Sequence, residues 1–307
     1  VALSFRLGKI PVRVQAWFFV LTVFLGATGD PRLLLPWVAI VFVSVMMHEL
    51  GHALTGMAFG LQPSIELHGM GGTTSWAAGK PLSTWQRVAI SLAGPFAGFA
   101  VGALVFAAML AGLFPATDLW ESIVAQLLFV NVGWGILNLL PMLPLDGGNV
   151  MTALLNGMTR GRGERPARIV SMAVAVAAGV LVIVFKRGGW WGAFLILSFF
   201  ATNYQGLRAL EARERDAPMR EALKQAYEAL DARDAERVLT LARPIALSSQ
   251  TAQVRAEALQ LVAFGFLLEG RVADADAAIA ALPAGYHPHA KLLEMRAAAI
   301  TTSPAQG

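Results

Sequence analysis

His48-Glu49-Leu50-Gly51-His52 places two histidines four residues apart, with a glutamate directly after the first. On a helix, positions i and i+4 share a face, so both imidazoles can reach one ion while Glu49 projects beside them. A helix offers zinc two nitrogen ligands in this way, and offers a carboxylate to the water that such an ion activates. From Leu33 to Ile65 no other residue can carry charge. An apolar run of that length is suited to crossing a membrane, where ionisable groups are costly and tied to function. The bland alternative is a chance pattern on a soluble helix. The apolar setting argues against it, because an unpaired Glu49 has no reason to be tolerated in lipid.

Two histidines do not complete a catalytic zinc site, which takes three protein ligands and keeps one position for water. One soluble arrangement adds a histidine six residues after the second, behind a glycine, but Thr55 and Ala58 stand in those places. Two carboxylates come into question. Glu66 lies only fourteen residues beyond His52, at the start of an expected hairpin. Asp146 is the stronger candidate: it lies just beyond an apolar run, at a break made by Pro141, Pro144 and Gly147-Gly148. Such a break exposes backbone and aims a carboxylate back at the membrane interior. Among the acidic residues before 207, only Glu49 and Asp146 sit in or at the end of an apolar run with no basic neighbour. A plain helix cap at Asp146, ahead of a helix starting at Asn149, loses weight beside His48 and His52.

The elements that must position these groups are apolar. Of 307 residues, 56% are hydrophobic and 14% charged, with mean hydropathy +0.58, which points to a polytopic membrane protein. Residues 1–206 hold twelve Lys/Arg and seven Asp/Glu, whereas 207–307 hold twelve and thirteen. The pI of about 9.8 therefore comes from the membrane half, where loop-anchoring charge explains it better than nucleic-acid binding. Cysteine is absent, which excludes disulfides and thiolate ligands and leaves histidine and carboxylate for any metal. No small-residue cleavage site follows the first apolar run, so no cleavable secretory signal is expected.

Six spans are expected: a short one over 14–29, the His48 span, 88–117 with Gly94-Pro95 inside, 122–145, about 169–185 and about 189–206. The last two are joined by Lys186-Arg187-Gly188-Gly189. Between the second and third, residues 62–79 alternate at Ile65 and Leu67 and carry Gly69, Gly71 and Gly72. That pattern predicts a hairpin at or in the membrane surface, tolerable only against protein or water. An even number of spans puts both termini on one side. That side holds twelve Lys/Arg, including Lys80 and Arg87, against Arg32, Lys186 and Arg187 opposite, so both termini are expected in the cytoplasm. From Pro218 onward the pattern is soluble and helical, as at Leu223, Ala226, Tyr227 and Leu230. A self-similarity of about 37 residues relates 222–245 to 259–282, and Gly270-Arg-Val-Ala-Asp-Ala275 is similar to the inter-helix turn of tetratricopeptide repeats. His287 and His289 flank Pro288 at an expected helix start and are read as surface residues. The expected fold is an all-α polytopic membrane protein with a small membrane-associated hairpin or sheet, a transmembrane domain over 1–206 and a tetratricopeptide-like soluble domain over 207–307.

Three segments together, His48-Glu49-Leu-Gly-His52, Ala93-Gly94-Pro95 and Asn138-Leu-Leu-Pro141-Met-Leu-Pro144-Leu-Asp146-Gly147-Gly148, resemble the site-2 proteases, intramembrane zinc metalloproteases. The likeness covers roughly residues 10–206. It implies Zn²⁺ held by His48, His52 and Asp146, Glu49 as the general base, and substrate contacts at Gly71, Gly72, Asn131 and Asn138. It implies as partners the lipid bilayer and a transmembrane protein or peptide substrate, in a prokaryotic plasma membrane, with no nucleic acid. The tail would receive a regulator, a substrate domain or a second protease chain. No PDZ domain fits between His52 and Gly94. Two positions depart from the family pattern: Gly98, where many relatives carry Asn three residues after Gly-Pro, and Asn149, where Arg often follows Asp-Gly-Gly. Two other classes stand against this reading. A metal-ion transporter would need further polar groups along a path, and spans three, five and six offer none that are charged. An inactive scaffold would have no need of Glu49.

Overall fold

Ile10, Val12 and Val14 alternate with exposed neighbours, and Pro63, Ile65 and Leu67 do the same, so each set can bury one face of a strand. The computed structural model describes residues 2–26, 30–77, 81–185 and 189–302. In it these runs are β2 (Ile10–Gln15) and β3 (Pro63–His68), flanked by β1 (Ala2–Leu7) and β4 (Gly71–Trp76) in one sheet of order β1-β2-β3-β4. The central β2–β3 pairing is parallel and the outer two are antiparallel. Val12, Val14, Ile65 and Leu67 are at most 2% exposed, and burying such a side chain stabilises by about 1.5–3 kcal/mol relative to water. Ile65 stands opposite Thr74 and Leu67 opposite Gly72. Directly opposed residues share a face, so Gly72 and Thr74 point to the same side as the buried aliphatic residues.

That side packs on helix α2 (Leu34–Ala58), and Ile40, Val41, Met46 and Ala53 of α2 join the sheet's aliphatic residues in one core. The 25 residues of α2 rise about 37 Å, enough to cross a hydrocarbon layer of about 30 Å. Asp30 opens the approach by accepting from Arg32 N at 2.9 Å. Gly60, at φ +87°, closes α2 in a left-handed turn with Gly60 N bonded to Met57 O. Helix α3 (Thr84–Leu110) starts at a capping box of Ser83 and Gln86 and contains Pro95. The next apolar segment is broken into α4 (Asp118–Leu128), a π-helical turn over Phe129–Gly133 and α5 (Trp134–Asn138). An irregular turn then leads into α6 (Asp146–Met158), followed by α7 (Glu164–Val184) and α8 (Gly189–Asp231).

Among the described residues, four segments are long and apolar enough to cross a membrane: Pro31–Ala58, Thr84–Leu110, Asp118–Asn138 and Glu164–Val184. The first expected span differs from what is observed. Val14 and Gln15 belong to β2, because Val14 is taken into the sheet's core, and α1 (Ala16–Gly26) has 11 residues, about 16 Å, too few to cross alone. The expected last span is the opening of α8, which continues through Pro218 to Asp231. Lys80, Lys186, Arg187, Gly188 and the end of the expected hairpin at 78–79 lie outside the described residues.

Contacts divide the chain into Val1–Gln205 and Gly206–Gly307. The second unit is helical, comprising the end of α8, α9 (Ala235–Ser248), α10 (Ala252–Leu268), α11 (Val272–Ala280) and α12 (Ala290–Thr302) around Leu223, Val238, Leu261 and Leu292. Gly270, at φ +76°, makes the turn from α10 into α11. His289 is a local cap for α12, its Nδ1 accepting from Lys291 N at 3.3 Å. Asp216 is fully buried. It accepts from Ser249 Oγ at 3.1 Å, Gln250 N at 3.0 Å, Thr251 N at 2.8 Å and the Thr251 hydroxyl, tying α8 to the α9–α10 connection. Burial alone raises its pKa, but these hydrogen bonds, led by the Thr251 hydroxyl, outweigh that and hold it below the ordinary carboxylate value. A depressed folded pKa adds stability above the unfolded value of about 3.9 and loses it as pH falls through the folded value. Asp216→Ala is therefore expected to destabilise the second unit by about 1–3 kcal/mol at pH 7, with the gap to wild type narrowing below about pH 4. Hydrogen exchange over 235–268 reads both, and equal protection in the two chains at pH 7 would contradict it.

Candidate metal centre

Helix α2 carries His48, Glu49 and His52 in the half nearer the sheet. One turn apart, the two imidazoles meet with Nε2 atoms 3.1 Å from each other. Asp146, at the start of α6, closes the group, its Oδ2 3.1 Å from His48 Nε2 and its Oδ1 3.3 Å from His52 Nε2. His52 Nδ1 lies 2.6 Å from Ile90 O. A carbonyl can only accept, so the proton sits on Nδ1 and the Nε2 lone pair faces the other two residues. Ligands at about 2.0–2.2 Å from a tetrahedral ion are about 3.3–3.6 Å apart; here one ligand atom from each of the three residues lies within 4.8 Å of the other two. Nitrogen and carboxylate donors without sulfur suit zinc. Among the described residues, His48, His52 and Asp146 form a group able to hold a metal ion.

Close helix approach makes this possible. A Cβ on Gly51 would fall 2.5 Å from Ala93 O, and one on Gly94 would fall 2.3 Å from His52 Nε2 and 2.7 Å from His48 Nε2. Glycine at both positions lets the α3 backbone lie against α2 and the imidazoles. Beside Asp146, a Cβ on Gly147 would fall 2.1 Å from Leu139 O, so the turn before α6 lies flat on the first turn of that helix.

Glu49 is 4% exposed, and Thr74 Oγ1 donates to its Oε2 at 2.7 Å. A Cβ on Gly72 would lie 2.5 Å from Glu49 Oε1. The β3–β4 register thus lays a strand directly on the glutamate, with a glycine where a side chain would collide. His48, Glu49, His52 and Asp146 line one cavity of about 1260 Å³, together with Gly71, Gly72, Asn131 and Asn138. Asn131 sits in the π-helical turn, 2% exposed, its Nδ2 donating to Ser44 Oγ and to Leu127 O at 2.9 Å each. Its Oδ1 is buried without a partner among the described residues. Gly98 faces the Asn131 backbone, where a Cβ would fall 2.9 Å from Asn131 O. Asn138 is half-buried in the cavity wall. The alternative carboxylate, Glu66, is engaged across the sheet by Gln15 Nε2 at 2.8 Å and Arg13 Nε at 3.8 Å.

Sequence reasoning missed three contributors. Ser44 precedes His48 by one helical turn and could have been found by spacing. Thr74 shares the alternation that marks Ile65, once the register is known. The Ile90 carbonyl carries no sequence signal, since any residue supplies one.

Residues 114–184 match the profile of peptidase family M50. The chain is 28% identical over 241 residues to sll0528 of Synechocystis sp., an alignment covering 69% of this chain and 62% of that protein. It is 31% identical over 211 residues to Rip3 of Mycobacterium tuberculosis, covering 62% of this chain and 53% of that protein. Both relatives carry zinc metalloprotease in their names, and the chain spans less than two thirds of the length of either. A solved site-2 protease from Methanocaldococcus jannaschii aligns with TM-score 0.49 and 20% identity, covering 67% of this chain and 95% of that one.

A methyl group at position 94 has to push the imidazoles apart. Gly94→Ala is expected to weaken zinc binding by about tenfold or more. Metal analysis of detergent-purified protein after dialysis against a chelator checks this, and occupancy equal to wild type would show that the helices can yield.

Proposed function

We propose that this chain, whose residues 114–184 match the profile of peptidase family M50, is a zinc-dependent intramembrane endopeptidase cleaving transmembrane segments of membrane-anchored proteins. The observation that carries the reading is the convergence of His48, His52 and Asp146 next to buried Glu49, on a helix apolar enough to cross a membrane.

His48 Nε2, His52 Nε2 and an Asp146 oxygen hold the metal, and zinc when bound supplies Lewis acidity that polarises a carbonyl and acidifies water. Glu49 takes a proton from the attacking water and passes it to the leaving nitrogen. A substrate helix must unwind before cleavage, and its freed backbone groups need new partners. β4 is an edge strand lying on Glu49, suited to receive an unwound segment by strand addition at Gly71 and Gly72. Asn131 and Asn138, which line the same cavity, supply polar contacts to the same segment.

In this reading residues 14–29, of which α1 is part, and the opening of α8 complete six spans, both termini are cytoplasmic, and the membrane is a prokaryotic plasma membrane. The positive-inside count supports that orientation. Residues 1–206 form the protease domain and 207–307 a tetratricopeptide-like domain that receives a substrate's soluble portion, a regulator or a second protease chain. Asp231 and Leu268 close helices, and Ala235 and Val272 open the next, 37 positions apart in each case, which supports a repeated helix pair. Deleting residues 232–307 is expected to keep zinc and cleavage of a bare transmembrane peptide while slowing a full-length substrate. Equal rates on both substrates would reduce the tail to a stability element.

Glu49→Gln should keep zinc and the fold while lowering cleavage of a reconstituted transmembrane substrate by about 10²-fold or more. Asp146→Ala should lose zinc. A Glu49→Gln protein that cleaves as fast as wild type would sink the proposed chemistry.

A further inference from the structure

The third ligand arrives at the end of the irregular turn over 139–145, so its position depends on what holds that turn. Leu143, three residues before Asp146, is gripped at both ends. Its N–H donates to Ser171 Oγ of α7 at 2.9 Å, and its carbonyl accepts from Asn203 Nδ2 of α8 at 2.7 Å. Both side chains are 0% exposed. Each is also oriented by its own helix: Ser171 Oγ donates to Ala167 O, and Asn203 Nδ2 to Phe199 O, at 2.8 Å each. Ser171 thus spends its one proton on its helix and keeps lone pairs for the Leu143 N–H. Asn203 spends both N–H groups on carbonyls, which fixes its amide orientation and leaves Oδ1 buried without a partner among the described residues. An orphaned acceptor carries a desolvation penalty, and this one sits where the chain delivers a ligand. On the other side of the turn, a Cβ on Gly148 would fall 2.5 Å from Leu143 N, so the turn is pressed between the start of α6 and the two polar side chains.

We propose that Ser171 and Asn203 are positioning residues for Asp146: by holding Leu143 through its N–H and its carbonyl, they fix where α6 begins and where the carboxylate falls relative to His48 and His52. The inference rests on the metal centre described above and assigns a role to two helices that contribute no ligand.

The test is zinc affinity, measured by chelator competition on the full-length protein in detergent, beside the thermal midpoint of the metal-free protein. Ser171→Ala and Asn203→Leu should each weaken zinc binding by about 10–100-fold, the range for groups that orient metal ligands. The control is Thr202→Ala, whose hydroxyl bonds Ser198 O on the same helix and is exposed; it should bind zinc as wild type does. A metal-free midpoint close to that of the control identifies a positioning effect. Zinc affinity within about twofold of wild type in folded Ser171→Ala overturns the proposal, even if Asn203→Leu does not fold. So does an affinity loss matched by an equal collapse of the metal-free protein. A wild-type chain that binds no zinc sinks the metal centre and the inference with it, whereas zinc-loaded wild type beside an unaffected Ser171→Ala sinks the inference alone.

Discussion

Imidazole and carboxylate groups shut away from water inside an apolar span must find partners there, because none can be recruited from lipid. Glu49 and His52 are 4% and 7% exposed, and much of the first unit can be understood as the means of partnering them. Gly51 and Gly94 bring α3 within reach, so that the Ile90 carbonyl can accept a hydrogen bond from Nδ1–H of His52. Gly72 lets β4 descend onto Glu49, and Thr74 then supplies a donor to its carboxylate. The turn into α6 returns a chain that has just crossed the apolar layer and sets Asp146 between the two imidazoles. Each closure uses either a glycine, where a Cβ would collide, or one short polar side chain. Larger residues at those places would open gaps that only water could fill.

The parts of this arrangement that were legible in the sequence are those whose signal is local. His48, Glu49 and His52 stand out because their four-residue spacing falls in an uncharged run, and Asp146 because it ends one at a cluster of Pro and Gly. The hairpin of β3 and β4 announced itself through Ile65, Leu67 and the glycines at 69–72. By contrast, β1 and β2 were passed over, although Ile10, Val12 and Val14 alternate as clearly as β3 does. β1 pairs only with β2, and the other partner of β2 lies some fifty residues away, with Val12 opposite Ile65, while Arg6, Lys9 and Arg13 mask the alternation. The same oversight lengthened the first expected span, since Val14 counts as apolar whether it faces lipid or a sheet. Pro218, where the soluble helical pattern begins in the sequence, does not interrupt α8. The residues around it, from Glu211 to Asp231, are strong helix formers that carry α8 across one missing N–H. Ser171 and Asn203 left only the faint mark of single polar residues in apolar segments, and their meaning depends on a turn some thirty to sixty residues earlier in the chain.

The π-helical turn at Phe129–Gly133 gives the cavity wall its shape. An extra residue in a helical turn displaces the backbone locally, which is why such turns gather at functional sites. Here it brings Asn131 inward to Ser44, one turn below His48, and pushes its carbonyl toward α3.

That carbonyl explains the glycine at 98 and ties two positions into one unit of change. A Cβ at 98 would lie 2.9 Å from Asn131 O, a backbone atom that no rotamer change can move aside. A side chain therefore cannot enter at 98 by a single replacement while the turn at 131 keeps its form. The room that a side chain at 98 would take is filled by the backbone of Asn131.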